Sequence, residues 1–120
     1  MREEVKEWMK QSNKDLRAAK HDIKSKDYFS AVFWCQQSVE KAFKALLIKN
    51  TENFPKIHDL SRLADLNNAP AEIKERCAKI DPTYLASRYP DWSKKFSKKD
   101  AEEIIKEGSE VLKWIKKNLN

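Results

Sequence analysis

The chain is 120 residues long, room for one hydrophobic core of ordinary size and little more. Hydrophobic residues make up 40% and charged residues 37%, which excludes a disordered chain and supports amphipathic elements with solvated outer faces. One glycine and four prolines are too few to punctuate a strand-rich fold, and 25 basic against 19 acidic residues leave a net charge of +6, a bias that attracts polyanions without requiring one. In chain order, Val5, Trp8, Met9, Leu16, Ala19 and Ile23 recur at three- and four-residue spacings and predict a first helix from about Glu3 to Ile23. Asp27 is placed to cap a second, reaching about Lys49, whose stripe is Tyr28, Ala31, Val32, Cys35, Val39, Ala42, Phe43, Leu46 and Leu47. Phe29, Phe33 and Trp34 widen its apolar surface beyond one seam, so this helix is expected both at the centre of the bundle and at a homodimer interface.

Pro55 breaks the pattern and marks a loop. A short helix is expected from about His58 to Leu66, ended by Asn67-Asn68, and Pro70 opens another that ends near Ile80. Asp81-Pro82 reads as a cap and proline before a brief helical segment that Pro90 closes around Arg88. Ser97 and Asp100 form a capping-box variant, Asp replacing the usual Glu or Gln. The last helix then carries Ala101, Ile104, Ile105, Val111, Leu112, Ile115 and Leu119 inward, with lysines in its final turn to complement the helix dipole. The expectation is an all-α fold, an antiparallel up-and-down helical bundle of three long helices and two or three short ones, forming one domain over residues 1–120.

Cys35 and Cys77 show no CxxC pairing and read as reduced intracellular thiols. Two histidines and two cysteines at unsuitable spacings predict no metal site, and no cofactor is expected. The longest apolar runs fall short of the roughly eighteen residues of a membrane span, and the charged start MREEVKEW is unlike a secretory leader, so the chain reads as cytoplasmic and free of membrane.

Several local patterns occur in a telling order. Trp8 is followed by Asp15-Leu16 and Ala19, then Asp27-Tyr28-Phe29-Ser30-Ala31, then Gln36-Gln37-Ser38-Val39-Glu40-Lys41-Ala42-Phe43-Lys44-Ala45-Leu46-Leu47, then His58-Asp59-Leu60. Tyr84 with Ser87-Arg88-Tyr89-Pro90-Asp91 and a closing helix with Ala101 and Trp114 complete the set. In this order and spacing the chain resembles the HEPN family. That resemblance implies an antiparallel helical bundle, commonly homodimeric, working beside a nucleotide or RNA and often paired with a small nucleotidyltransferase in a toxin–antitoxin system. The ribonuclease branch of the family carries an arginine, four to six residues and then a histidine. Here Arg17 precedes His21 with three residues between, and His58 has only lysines upstream at unsuitable or longer spacing, so ribonuclease activity is not inherited by motif.

Gln37, Glu40 and Lys44 lie one helical turn apart in succession and form a polar strip suited to a nucleotide, the amide to a base edge and the ammonium to phosphate. Their competing reading is a surface Glu–Lys pair that merely supports the helix. His58 suits a phosphate, a ribose or a proton, and its competing role is structural, beside Asp59 at a helix start. Arg88, one turn beyond Tyr84, is the strongest anion-binding candidate, set against an internal bridge to a carboxylate. Trp8, Trp92 and Trp114 read as core or rim, Arg17 with His21 as solvated surface, and Lys94-Lys95 with Lys98-Lys99 as the densest basic cluster. The expected function is therefore a HEPN-type protein, dimeric through Phe29, Phe33 and Trp34, that binds a nucleotide or RNA phosphate beside a separately encoded minimal nucleotidyltransferase. The alternatives are a metal-independent endoribonuclease and a helical module that only binds protein.

Overall fold

The computed structural model describes residues 2–51, 53, 56–81 and 96–120. Five helices form among them: α1 (Glu3–Lys24), α2 (Tyr28–Thr51), α3 (Leu60–Leu66), α4 (Ala71–Ile80) and α5 (Lys98–Leu119). No strand occurs among the described residues. The all-α expectation of three long helices with short ones between them therefore holds, and the ends of the long helices fall within two residues of the sequence reading. The helical segment expected after Asp81, together with Tyr84, Arg88, Trp92, Lys94 and Lys95, lies outside the described residues.

The turn at Ser25–Asp27 reverses the chain, with Lys26 in a left-handed conformation (φ 63°). α1 consequently lies antiparallel to α2, the Arg2 guanidinium donating to the Ile48 carbonyl at the far end of the pair. α5 runs alongside α2 in the same direction: the Cys35 thiol meets the Ile104 carbonyl at 3.6 Å, and the Lys49 ammonium donates to the Leu119 carbonyl at 2.8 Å. Between them, α3 and α4 belong to the return path. α4 is fastened to α5 by Arg76, whose guanidinium lies 2.9 Å from Glu107, and to α3 by Lys74, 2.7 Å from Asp65.

More than half of the 24 residues of α2 are buried, as its width of apolar surface predicts for the central helix. Its whole expected stripe except Tyr28 is in the core, where Phe43 and Leu46 meet Val5, Leu60, Leu63, Ile80, Val111 and Ile115. Burial also takes in polar residues that an apolar periodicity passes over. Ser12 and Asp15 fill the gap between Met9 and Leu16 on α1, and both are buried. The Ser12 hydroxyl donates to the Ser38 carbonyl at 2.7 Å while the Ser38 hydroxyl donates to the Ser12 carbonyl at 2.8 Å, so two helices exchange hydrogen bonds inside their contact. Asp15 is paired with Lys41 and accepts from the Gln11 amide at 2.9 Å.

α3 starts two residues later than its sequence suggests. His58 lies before the helix and Asp59 is its cap, accepting from the backbone N–H groups of Ser61 (2.9 Å) and Arg62 (3.3 Å), because a short carboxylate reaches those orphaned donors as an imidazole does not. Asp81, at the end of α4, also serves α3: its carboxylate accepts from Leu60 N–H at 2.7 Å and from the Ser61 hydroxyl at 2.6 Å. Two carboxylates thus share one helix N-terminus. The Ser97–Asp100 capping box forms at the start of α5 with both of its reciprocal bonds, and the Ser97 bonds hold the Asp100 carboxyl below the usual carboxylate range.

Gly108 marks the closest approach of α5 to α2. A Cβ there would stand 2.5 Å from the Cys35 sulfur and 3.4 Å from Val39 Cγ2. Gly108→Ala should lower stability by about 1–3 kcal/mol, although alanine in a helix interior ordinarily favours folding by about 1 kcal/mol over glycine. In a Cys35→Ala background most of that loss should vanish, and urea unfolding of the four proteins measures the coupling. Equal losses in both backgrounds would contradict the contact.

Burial raises the Asp81 carboxyl above the usual aspartate range, assisted by the charge of Asp59 and opposed by the bonds from Ser61 and Leu60. The folded protein then holds this proton more tightly than the unfolded chain. Its contribution is greatest below the unfolded value of about 3.9 and declines as pH rises through the folded value. Asp81→Asn should therefore gain stability relative to the parent over that rise, read by urea unfolding at several pH values. A difference that stays constant with pH would contradict it.

Candidate functional site

α2 carries four of the polar side chains that gather near the start of α3. Gln36, Glu40 and Lys44 follow one another at four-residue spacing, so each lies over its neighbour on the helix surface, and Gln37 stands beside the first. The loop before α3 brings His58 to the same place. Glu40, its side chain only 5% exposed, is the centre. Its Oε1 accepts from Gln36 Nε2 at 3.2 Å, and its Oε2 lies 2.9 Å from the Lys44 ammonium and 3.1 Å from His58 Nδ1. Gln36 Nε2 also reaches the His58 carbonyl at 3.2 Å, tying the loop to the helix, and Gln36 Oε1 accepts from Gln37 Nε2 at 2.7 Å.

A surface Glu–Lys pair, one reading of this spacing, is corrected by the burial: the Lys44 side chain is 8% exposed and its ammonium lies 5.7 Å from the centre of the Trp8 ring. α1 covers the lysine from one side with that indole. A buried ion pair gains little net stability from its own attraction, because both ions leave water, yet each partner becomes costly without the other. Glu40 and Lys44 therefore fix the conformation of the centre, while half-buried Gln37 and exposed His58 form its accessible side. The carboxylate at His58 Nδ1 also sets the tautomer: a neutral ring donates its Nδ1 proton to Glu40 and carries the lone pair on Nε2.

Of the expected site residues, the structure brings Gln37, Glu40, Lys44 and His58 together. Tyr84 and Arg88 lie outside the described residues. Gln36, to which the sequence pattern assigns no role, is the wholly buried amide that joins Glu40, His58 and Gln37. Its four-residue spacing to Glu40 was the available signal. Phe33 and Trp34, half-buried, stand one turn before Gln37 and meet edge to face at 5.0 Å between ring centres. Lys41 lies 5.9 Å from the centre of the Trp34 ring. Phe29 is likewise half-buried and turns toward Phe96, 6.3 Å away.

Both cysteines are buried free thiols, and burial pushes each up to about 12, so neither supplies a thiolate nucleophile at neutral pH. Among the described residues no three His, Cys, Asp or Glu side chains gather as a metal-binding group. No helix of the described residues is long and apolar enough to cross a membrane.

Comparison with known proteins agrees in sequence and in fold. A protein of Methanocaldococcus jannaschii described as "Putative toxin MJ1304" is 31% identical over 135 aligned positions, covering 93% of this chain and 86% of its own length. The crystal structure of TT1696 from Thermus thermophilus superposes with a TM-score of 0.89 at 25% identity, covering 98% of this chain and 99% of that one. That of ST0689, described as an archaeal HEPN homologue, gives 0.84 at 30% identity over 99% of this chain and 100% of that one. The sequence model of the HEPN domain matches residues 5–119, nearly the whole chain. The protein belongs to the HEPN domain family.

Proposed function

We propose that this chain is the HEPN member of a toxin–antitoxin-like pair that binds a nucleotide or an RNA phosphate, partnered by a separately encoded minimal nucleotidyltransferase. The observation that carries the binding role is the convergence of Gln36, Lys44 and His58 on the buried Glu40 carboxylate, with Gln37 bonded to Gln36 beside them. Gln37 offers an amide to a base edge and His58 a ring nitrogen to ribose or phosphate. Glu40 and Lys44 hold that arrangement, and Arg88 with Tyr84 supplies the anion contact. The likeness to a protein described as a putative toxin supports the pairing. Phe33 and Trp34, on the same helix as the cluster and one turn from it, support a homodimer built through them and Phe29.

A second reading, metal-independent RNA cleavage, is favoured by one feature. A histidine oriented by a buried carboxylate is the arrangement a general base uses, with Nε2 taking the proton of an attacking hydroxyl. RNA cleavage that persists in a folded His58→Ala protein would remove it.

Calorimetric titration with ATP, GTP and a short single-stranded RNA tests the leading reading at two salt concentrations. Arg88→Ala and His58→Ala should each weaken binding at least tenfold, with the RNA affinity falling as salt rises. No heat with any of the three ligands would overturn the binding role in favour of a purely protein-binding module.

Removing the carboxylate should show its structural weight separately. Glu40→Ala leaves Lys44 buried without its carboxylate and should cost about 3–5 kcal/mol by urea unfolding. A loss below about 1 kcal/mol, the range of surface pairs, would contradict the buried centre.

A further inference from the structure

The opposite side of α1 carries a different arrangement, sharing no residue with the α2 cluster. Lys6, Lys10, Arg17, Lys20 and Lys24 fall within one stripe about 80° wide around the helix and roughly 27 Å long. All five are exposed, and none stands within ion-pair distance of a carboxylate among the described residues. The acidic residues Glu3, Glu4 and Glu7 are segregated beside Trp8 and Gln11.

The stripe borders the groove between antiparallel α1 and α5, along which lie two separate depressions with no lining residue in common. One, of about 560 Å³, has Met9 and Leu119 as its apolar residues, with Lys6 and Lys10 from α1 and Lys116 from α5. The other, of about 320 Å³, holds Ile23 and Ile105 between Lys20 and Lys24 on one side and Lys106 on the other. Among the described residues, Glu102 is the one acidic side chain lining either depression. Each therefore pairs an aliphatic floor with ammonium groups contributed by both helices.

We propose that this groove is the docking surface for an amphipathic helix of a partner protein, apolar on one face and acidic along both flanks. An apolar ridge repeating at three and four residues fits a groove between two helices, and flanking carboxylates would meet the lysines on each wall. The basic stripe matches a helix of about 18 residues. Three other occupants fit less well. Single-stranded nucleic acid binds on stacking rings, and among the described residues the apolar lining of both depressions is aliphatic rather than aromatic. A bilayer needs apolar groups that project outward, whereas Leu119 is buried and Met9, Ile23 and Ile105 are half-buried. A second copy of this chain brings the same positive charge, +6, to a basic groove.

The test uses a synthetic peptide of about 18 residues, with leucines at alternating three- and four-residue spacing and glutamates on both flanks, titrated into the isotope-labelled chain. A peptide of the same composition with its order permuted, and a short single-stranded RNA, serve as comparisons. The expected result is saturable shifts at Met9, Lys10, Lys116 and Leu119, with affinity at least tenfold lower in Lys6→Glu/Lys116→Glu and lowered in the same direction by Lys10→Gln. These lysines are exposed, so far-ultraviolet circular dichroism should match the parent. Equal binding of the permuted peptide would reduce the groove to a patch of positive charge and overturn the proposal. So would groove shifts from RNA at lower concentration than from the peptide, or no groove shift from the patterned peptide. None of these outcomes depends on what binds at the α2 cluster.

Discussion

A carboxylate almost wholly out of water has to be answered at both oxygens, and at Glu40 the answers come from two parts of the chain. Gln36 and Lys44 supply them along α2, and His58 supplies one from the loop before α3. Trp8 of α1 closes over the lysine. Local helical spacing alone would leave such a pair on the surface, worth a few tenths of a kcal/mol. Burial turns it into a constraint that sets where the loop before α3 lies and which nitrogen of His58 carries a proton. The packing of α2 and the geometry of the candidate site are therefore one problem.

The rest of the bundle shows how burial at α2 is tolerated. Its apolar stripe meets α1, α3 and α5, while polar positions at these contacts are matched in place, buried Ser38 by Ser12 and half-buried Lys41 by Asp15. Gly108 lets α5 come close enough to cover Cys35. Asp59 and Asp81 cap the short helix that anchors the loop carrying His58, so even the peripheral helices bear on the position of that ring.

Much of the fold was legible because its signals are local. The capping box at Ser97 and Asp100, the proline before α4 and the three- and four-residue periodicities all depend on neighbours within one turn, and all appear as expected. Asp59 stands at an expected helix start in the sequence, and the structure makes it the cap itself. What could not be read depends on contacts between elements. Gln36 is a polar residue like Gln37 until the loop before α3 brings the His58 carbonyl to it, and nothing near Gly108 in sequence tells of the sulfur it faces. The positive charge was plain from composition, whereas its concentration beside an aliphatic groove required α1 and α5 to be set side by side.

The amide groups of Gln36 and Gln37 and the ring of His58 give separate magnetic resonance signals, which makes the α2 cluster directly observable. Titrating ATP and then a short single-stranded RNA into the isotope-labelled protein tests the central claim most directly. Shifts are expected to concentrate on the Gln37 side-chain amide and the His58 ring, with the Gln36 amide following because it is bonded to both residues. Saturable shifts confined to other surfaces, with these three signals unmoved, would contradict it.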